Sequence, residues 1–170
     1  MITAHVHLSP MTRRDDALLR NLYQFYLYDF SEFMGWDVDR RGRFDESDLA
    51  GCWDDPRRYQ YLIEIDRQVA GFVMIDHLIR SPLTERSDVI LMREFFVLRA
   101  HRRRGVGRAA AWRAFDLFHG CWEVFQLQEN VAAQAFWRNV IDAYTAGHYT
   151  EITCGEQTWR GVMQTFDNRG

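Results

Sequence analysis

The densest run of chemically useful residues lies between Glu94 and Arg108, where the chain reads Glu-Phe-Phe-Val-Leu-Arg-Ala-His-Arg-Arg-Arg-Gly-Val-Gly-Arg. An apolar strand runs out, the chain turns through arginines and two glycines, and an alanine-rich helix begins. The first N–H groups of a helix lack partners inside it and carry the positive end of its dipole. A strand that feeds a glycine turn into a helix therefore builds a cradle for an anion. Gly105 and Gly107 let the backbone come close to that anion, while Arg102, Arg103, Arg104 and Arg108 add charge and forked donors. A phosphorylated ligand is the expected occupant. One carboxylate, Glu94, stands in the apolar strand just before the cradle, where it could act as a base. The blander alternatives are a solvated basic turn for the arginines and an ion pair between Glu94 and a neighbouring Arg.

Positioning these groups takes a central strand, the helix after it and support on both sides. Val89 to Leu98 is apolar on both faces, with Val89, Leu91, Phe95 and Val97 on one and Ile90, Met92, Phe96 and Leu98 on the other. That pattern predicts a strand covered on both sides. Upstream, Ile2 to Leu8 reads as a strand, Arg13 to Phe33 as a helix and Glu46 to Cys52 as a second short helix. Tyr59 to Ile65 and Val69 to Leu78 read as a hairpin turning at Asp66-Arg67-Gln68. After Gly105 a helix carries small residues at Ala110, Ala111 and Ala114, and Gly120 is expected to end it. Trp122 to Gln128 alternates as a strand. Asn130 caps a helix with one apolar stripe of Ala133, Phe136, Trp137, Val140, Ile141 and Tyr144. His148 to Cys154 and Thr158 to Phe166 close the chain as a last hairpin. The fold class is α/β (α+β): a mixed, mostly antiparallel sheet of about seven strands with helices on both faces, in one domain over residues 1–170.

The composition narrows the classes. A chain of 170 residues with 47% hydrophobic and 15% aromatic content is globular, and its net charge of −3 gives no global case for nucleic acid. All 21 basic residues are Arg, which reads as compositional bias rather than mechanism. Cys52, Cys121 and Cys154 are unclustered and lack metal-ligand spacing, so no metal is expected. With no run of 18 apolar residues and no signal-peptide pattern, the expectation is a cytoplasmic protein with reduced thiols and no membrane partner. A dinucleotide-binding fold is excluded because the arginine-glycine turn comes mid-chain and the flanking hairpins make no βαβαβ half.

The spacing Arg-x-x-Gly-x-Gly from Arg102 to Gly107, after a hydrophobic strand, resembles the acyl-CoA signature of the GCN5-related N-acetyltransferase (GNAT) superfamily. Asn130-Val131-Ala132-Ala133-Gln134-Ala135-Phe136-Trp137 resembles that family's second signature, in which an Asn opens a helix that ends in Phe-Tyr. Phe95-Phe96-Val97 looks most like the polyamine acetyltransferase branch. Two departures stand out: Trp137 replaces the usual Tyr, and Arg103 stands where many members have Gly. The resemblance implies acetyl-CoA as acyl donor, its pantetheine arm along the backbone of Phe95, Phe96 and Val97. The pyrophosphate would lie on N–H groups from Arg103 to Arg108, including Gly105, Val106 and Gly107. Asn130, Ala133 and Trp137 would stand beside the arm.

The implied reaction is acetyl transfer to a primary amine. Polyamine acetyltransferases carry two adjacent acids where this chain has Arg93-Glu94, so Glu94 is the candidate base. A one-residue shift in a strand changes the face, and a bulge, common at this place in the family, would restore the direction. With Trp137 unable to donate as a Tyr would, Tyr144 becomes the candidate acid, with Tyr149 nearby in sequence. The oxyanion donor is expected to be a backbone N–H near Val97. In the family, acceptor choice comes largely from the first two helices and their loop. Here Asp29 to Asp55 holds nine carboxylates against Arg40, Arg41 and Arg43, interleaved with aromatics. That balance points to a small cationic amine, with Asp37 and Asp39 as its expected anchors; the bland alternative is a solvated loop. The runner-up function is a non-catalytic acyl-CoA-binding or regulatory module on the same fold. Apolar residues of the last hairpin (Tyr149, Ile152, Trp159, Val162, Phe166) are compatible with a homodimer.

Overall fold

A computed structural model describes residues 5–155 and 160–169. The first strand, β1 (Val6–Pro10), enters a capping box in which Thr12 accepts from the Arg14 N–H while Asp15 reaches back to the Thr12 backbone. This starts α1 (Asp16–Met34), which Gly35 ends in the left-handed conformation, φ 65°. Ser47–Leu49 forms only a short 3₁₀ turn rather than the expected helix. Leu49 and Cys52 are its buried apolar residues, too few for a helical stripe. β2 (Arg58–Ile65) and β3 (Gln68–Arg80) form the predicted hairpin, closed by Asp66 and Arg67, both at positive φ (49° and 67°), which suits the strand twist. There follow β4 (Ser87–Val97), α2 (Val106–Leu117), β5 (Cys121–Leu127), α3 (Val131–Thr145), β6 (Thr150–Cys154) and β7 (Gly161–Asp167). The part of the expected first strand before residue 5, and residues 158–159 of the last hairpin, lie outside the described residues.

The seven strands run in the order β1-β2-β3-β4-β5-β7-β6. Every pairing is antiparallel except β4 with β5, which is parallel from Val89↔Cys121 to Met92↔Val124. α1 covers one face with Leu19, Leu22, Tyr23, Tyr26 and Leu27, packed on Phe72, Met74 and Phe96. α2 and α3 cover the other, where Ala110, Ala111 and Ala114 are fully buried and let α2 approach closely. The predicted α3 stripe, from Ala133 to Tyr144, packs against this second core. The fold is thus α/β with helices on both faces, as the patterning predicts.

Two expectations are corrected. α2 ends at Leu117 with Phe118 extended, and Gly120 does not adopt the left-handed conformation. Gly120 serves a close approach instead: a Cβ there would sit 2.8 Å from Ile90 Cδ1. The two faces of β4 also cross over. Its register with β3 slips between Met74↔Glu94 and Ile75↔Met92, which leaves Arg93 as an extra residue. Ile90, Met92, Phe95 and Val97 therefore join the α2–α3 core, while Phe96 joins the α1 core. In the last hairpin, Phe166 belongs to the core, whereas Ile152 is exposed. No described helix is long and apolar enough to cross a membrane.

Gly71 of β3 faces β4 where it bends away from β5, and a Cβ there would lie 1.9 Å from the Phe96 carbonyl oxygen. Gly71→Ala is expected to cost roughly 2–3 kcal/mol and lower Tm by about 4–10 °C. Gly120→Ala meets only the flexible tip of Ile90 and should cost less. Equal losses in thermal melts of the two variants would contradict this account of the bend.

Candidate active site

Beyond Met92 and Val124, β4 and β5 no longer pair, and the sheet splits into a cleft. β4 supplies its floor through Met92, Arg93, Glu94 and Phe95. Because the split passes through the sheet, one wall comes from the α1 side (Tyr23, Tyr26, Phe30, Trp36 and Asp48) and the other from β5 and α3 (Gln126, Leu127, Asn130, Ala133 and Trp137). The bulge at Arg93 turns Glu94 to the α1 side, where the Tyr26 hydroxyl donates to its Oε2. No described residue donates to Oε1. Tyr26 is held by stacking on Tyr23 (centroids 5.2 Å apart) and by Phe30 (4.6 Å).

The charges around Glu94 are few. Burial pushes its carboxyl up to about 7, against the lowering effects of the Tyr26 hydrogen bond and the Arg93 charge. Burial, reinforced by the Glu94 charge, pushes the Tyr26 phenol well up, so it remains a donor. Arg93 donates to the Asp48 carbonyl (2.5 Å) and lies 3.7 Å from Asp76, whose carboxyl burial pushes up despite Arg93 and Arg58. The β5 and α3 side adds Gln126 and Asn130, which do not titrate.

Beyond the cleft floor, β4 runs into the arginine-glycine turn that opens α2. The Leu98 N–H donates to Ala70 (2.8 Å) and Val97 lies opposite Gly71. Antiparallel alternation therefore aims the backbone groups of Phe95 and Val97 away from β3, toward the open edge. The Val97 carbonyl accepts from Arg102 Nε (2.7 Å), and Arg102 Nη2 donates to Asp29 of α1 (2.5 Å), which also accepts from Arg99 (2.7 Å). Burial alone would push the Asp29 carboxyl up, but these two guanidinium groups hold it below its ordinary value. The Arg102 side chain thus engages the protein through Nε and Nη2. Arg103 and Arg104 are exposed and have no side-chain partner among the described residues. Arg108 lies over the Trp112 ring. Gly105 is left-handed (φ 79°) and opens α2 without a side-chain cap, so the N–H groups of Val106, Gly107 and Arg108 stand free for an anion. Arg103 is also left-handed (φ 59°), the conformation that glycine adopts without cost.

Other expected residues take more specific places. Gly107 leaves room for the Phe136 ring, 3.0 Å from where its Cβ would be, so its smallness serves packing between α2 and α3. Val106 is buried and can offer a ligand only backbone, whereas Phe96 is buried and the same alternation turns its backbone groups toward β3. Asn130 caps α3 by accepting from Ala133 N (3.0 Å) while it lines the cleft. Trp137 is both core and cleft wall: it is 6% exposed and lies edge-on to Phe95 at 5.0 Å. Tyr144 is not brought to Glu94. It lies seven residues, about 10 Å of helix, beyond Trp137, and its hydroxyl donates to Asp116 of α2 (2.9 Å). Tyr149 lines a separate groove with Arg86 and His148.

The acidic segment is largely occupied with its own structure. Asp29 is held by Arg99 and Arg102, Glu46 by Arg20 and Arg43, Asp54 by Arg13 and Asp55 by Arg57. Asp39 and Asp45 accept backbone N–H groups, and neither Asp37 nor Asp39 lines the cleft. Sequence reasoning missed the partnership of Tyr26 with Glu94 and the contribution of Tyr23 and Gln126. The signal for the tyrosines was their i, i+3 spacing on the buried stripe of α1, since a buried phenol needs a hydrogen-bond partner. Gln126 Oε1 is buried without a hydrogen-bond partner among the described residues.

The arrangement accommodates an extended ligand along an open strand edge with its anionic end at a helix N-terminus. No curated protein sequence matches the chain. Among solved structures, an acetyltransferase from Thermus thermophilus is similar with a TM-score of 0.72 at 19% identity, over 99% of this chain and 100% of the other. An aminoglycoside acetyltransferase in complex with coenzyme A superimposes with a TM-score of 0.67 at 14% identity, over 97% and 96%. A spermidine N-acetyltransferase from Vibrio cholerae in complex with CoA and spermine gives 0.57 at 14% identity, over 94% and 93%. These likenesses show the fold. The model of the acetyltransferase (GNAT) family matches residues 18–140, and the chain belongs to that family.

Proposed function

We propose that the protein is an acetyl-CoA-dependent N-acetyltransferase acting on a primary amine, with Glu94 as the general base. The observation that carries this reading is the position of Glu94: a carboxyl turned by a bulge into the split, on the strand whose open edge runs on to a turn that opens an uncapped helix. The structures of relatives with coenzyme A bound support the cofactor. The backbone edge of Phe95 to Val97, the N–H groups of Val106 to Arg108 and the exposed Arg103 and Arg104 would hold it, beside Asn130, Ala133 and Trp137.

A primary amine with a pKa near ~10.4 is neutral in only about one molecule in 10³ at pH 7, so a base that takes its proton removes a barrier of roughly 4–5 kcal/mol. Glu94, titrating at about 7, is matched to that task, and its Oε1 is the oxygen left for the amine. The cleft-facing N–H groups of Phe95 and Val97 are placed donors for charge that develops on a carbonyl oxygen. Bound acetyl-CoA supplies an acetyl thioester whose thiol, with an ordinary pKa near ~8.5, leaves without a strong acid, so Trp137 in place of Tyr removes a donor the reaction can do without.

Acetyl-CoA at ~100 times Kd should add about 2.7 kcal/mol and raise Tm by roughly 5–11 °C, with NAD giving no shift. Thiol release on adding amine separates the enzyme from a module that only binds. Glu94→Gln should lower kcat/KM by about 10²–10³. Stability moves in the opposite direction. The folded carboxyl keeps its proton up to about pH 7 while the unfolded one loses it near 4.5, so wild-type stability falls as pH rises through that window. Melts at pH 8 should therefore show the Gln variant more stable, by on the order of 3 kcal/mol, with the gain vanishing near pH 4.5. The charged or titratable groups facing Glu94 are Tyr23 and Tyr26 on α1, Asp48, Asp76 on β3 and Arg93. Of these, Tyr26 alone hydrogen-bonds it among the described residues. Tyr26→Phe should thus move the acid limb of the kcat/KM profile upward by about one pH unit; an unmoved limb would reduce Tyr26 to packing.

A further inference from the structure

The α1 wall of the cleft has a composition at odds with the acidity of the segment that builds it. Six of the nine carboxylates between Asp29 and Asp55 are committed to arginines or backbone N–H groups, and Asp48 is the one that lines the cleft. What faces Glu94 is aromatic. Tyr23, Tyr26, Phe30 and Trp36 form a continuous wall, with Phe30 stacked on Trp36 (6.4 Å, 21°) and packed on Tyr26. Arg93 adds a positive charge beside the base, where it would oppose a second ammonium group.

We propose that the acceptor is a monoamine with an apolar, preferably aromatic, body: the body lies on the Phe30–Trp36 wall and its single amine reaches Glu94. The proposal rests on the N-acetyltransferase reading and narrows it. One ammonium is accommodated by Asp48 and by the faces of the rings. Within the cleft, each further charge of a polyamine or aminoglycoside would be stripped of water against aromatic carbon, with no carboxylate besides Asp48 and Glu94 among the lining residues described. An apolar body gains from the same surface by leaving water.

The experiment follows CoA release with the full chain, acetyl-CoA and three acceptors: 2-phenylethylamine, spermidine and kanamycin. The expected result is a kcat/KM for 2-phenylethylamine at least tenfold above the other two, with a KM that changes less than twofold between 0.05 and 0.5 M NaCl. Trp36→Ala should reduce kcat/KM for 2-phenylethylamine about tenfold and that for ethylamine less than threefold. Its Tm and its shift with acetyl-CoA, measured alongside, show that the variant folds and binds. Preference for spermidine or kanamycin, or turnover of none of the three by protein that acetyl-CoA stabilises, overturns the acceptor class and leaves the cofactor reading intact. Absence of both stabilisation by acetyl-CoA and turnover overturns the two together.

Discussion

Everything functional here depends on where one pair of parallel strands stops pairing. β4 and β5 hold each other over Val89–Met92 and Cys121–Val124 and then part, so the backbone edge of β4 beyond that point has no strand to bond. An open strand edge inside a sheet is costly unless something else satisfies it. One of its carbonyls, Val97, is met by Arg102, and the proposed ligand would meet the rest by pairing as a strand does. Glycines lie on either side of the parting. A Cβ at Gly71 would collide with the Phe96 carbonyl and one at Gly161 with the Gln126 carbonyl, at 1.9 and 2.0 Å. Each strand bends away from the other against a neighbour that has no side chain at the point of approach.

The bulge at Arg93 is the second consequence of the same bend. It inserts one residue, swaps the faces of the strand after it and sets Glu94 against α1 instead of the α2–α3 core. There the carboxyl meets a phenol, an arginine that stays loosely paired and four aromatic rings. A burial that raises a carboxyl to about 7 opposes its charge, and that opposition is what would suit the group to the proposed role of base near neutral pH. The same environment that gives the site its chemistry withholds stability from the fold.

The fold was largely legible because its signals are periodic. The hairpin at Asp66-Arg67, the small-residue face of α2 and the stripe of α3 follow from spacing alone, and Asn130 as a cap follows from its type. The site was legible in its parts but not in its contacts. Gly105 and Gly107 look alike in the sequence, yet one is a left-handed helix start and the other makes room for Phe136. The crossing of faces at Arg93 could not be read from alternation, because a bulge is set by the mate strand and leaves no periodic trace. Tyr144 stands out as a substitute acid because it is near Trp137 along the chain. Seven residues of helix keep it on the same stripe but carry it past the cleft to Asp116. Charge counting misses contacts for a similar reason: of the nine carboxylates of the 29–55 segment, four pair with arginines that come mostly from elsewhere in the sequence and two accept backbone N–H groups.

The arginine turn shows how unlike roles can hide in one repeated residue. Arg99 and Arg102 reach back to Asp29 on α1, the helix that also carries Tyr26, so the turn that ends β4 is tied to the wall opposite the base. Asp29 carries both guanidinium groups, and Arg102 also closes the Val97 carbonyl, so one small network ties the arginine-glycine turn to the aromatic wall. Arg103 bears backbone strain in a conformation that glycine would take freely, and its guanidinium, like that of Arg104, is left unengaged among the described residues. A turn built only to bind an anion would need none of the contacts to α1. That two of its arginines are committed there argues that holding the two walls in register matters as much to this fold as the charge presented to the ligand.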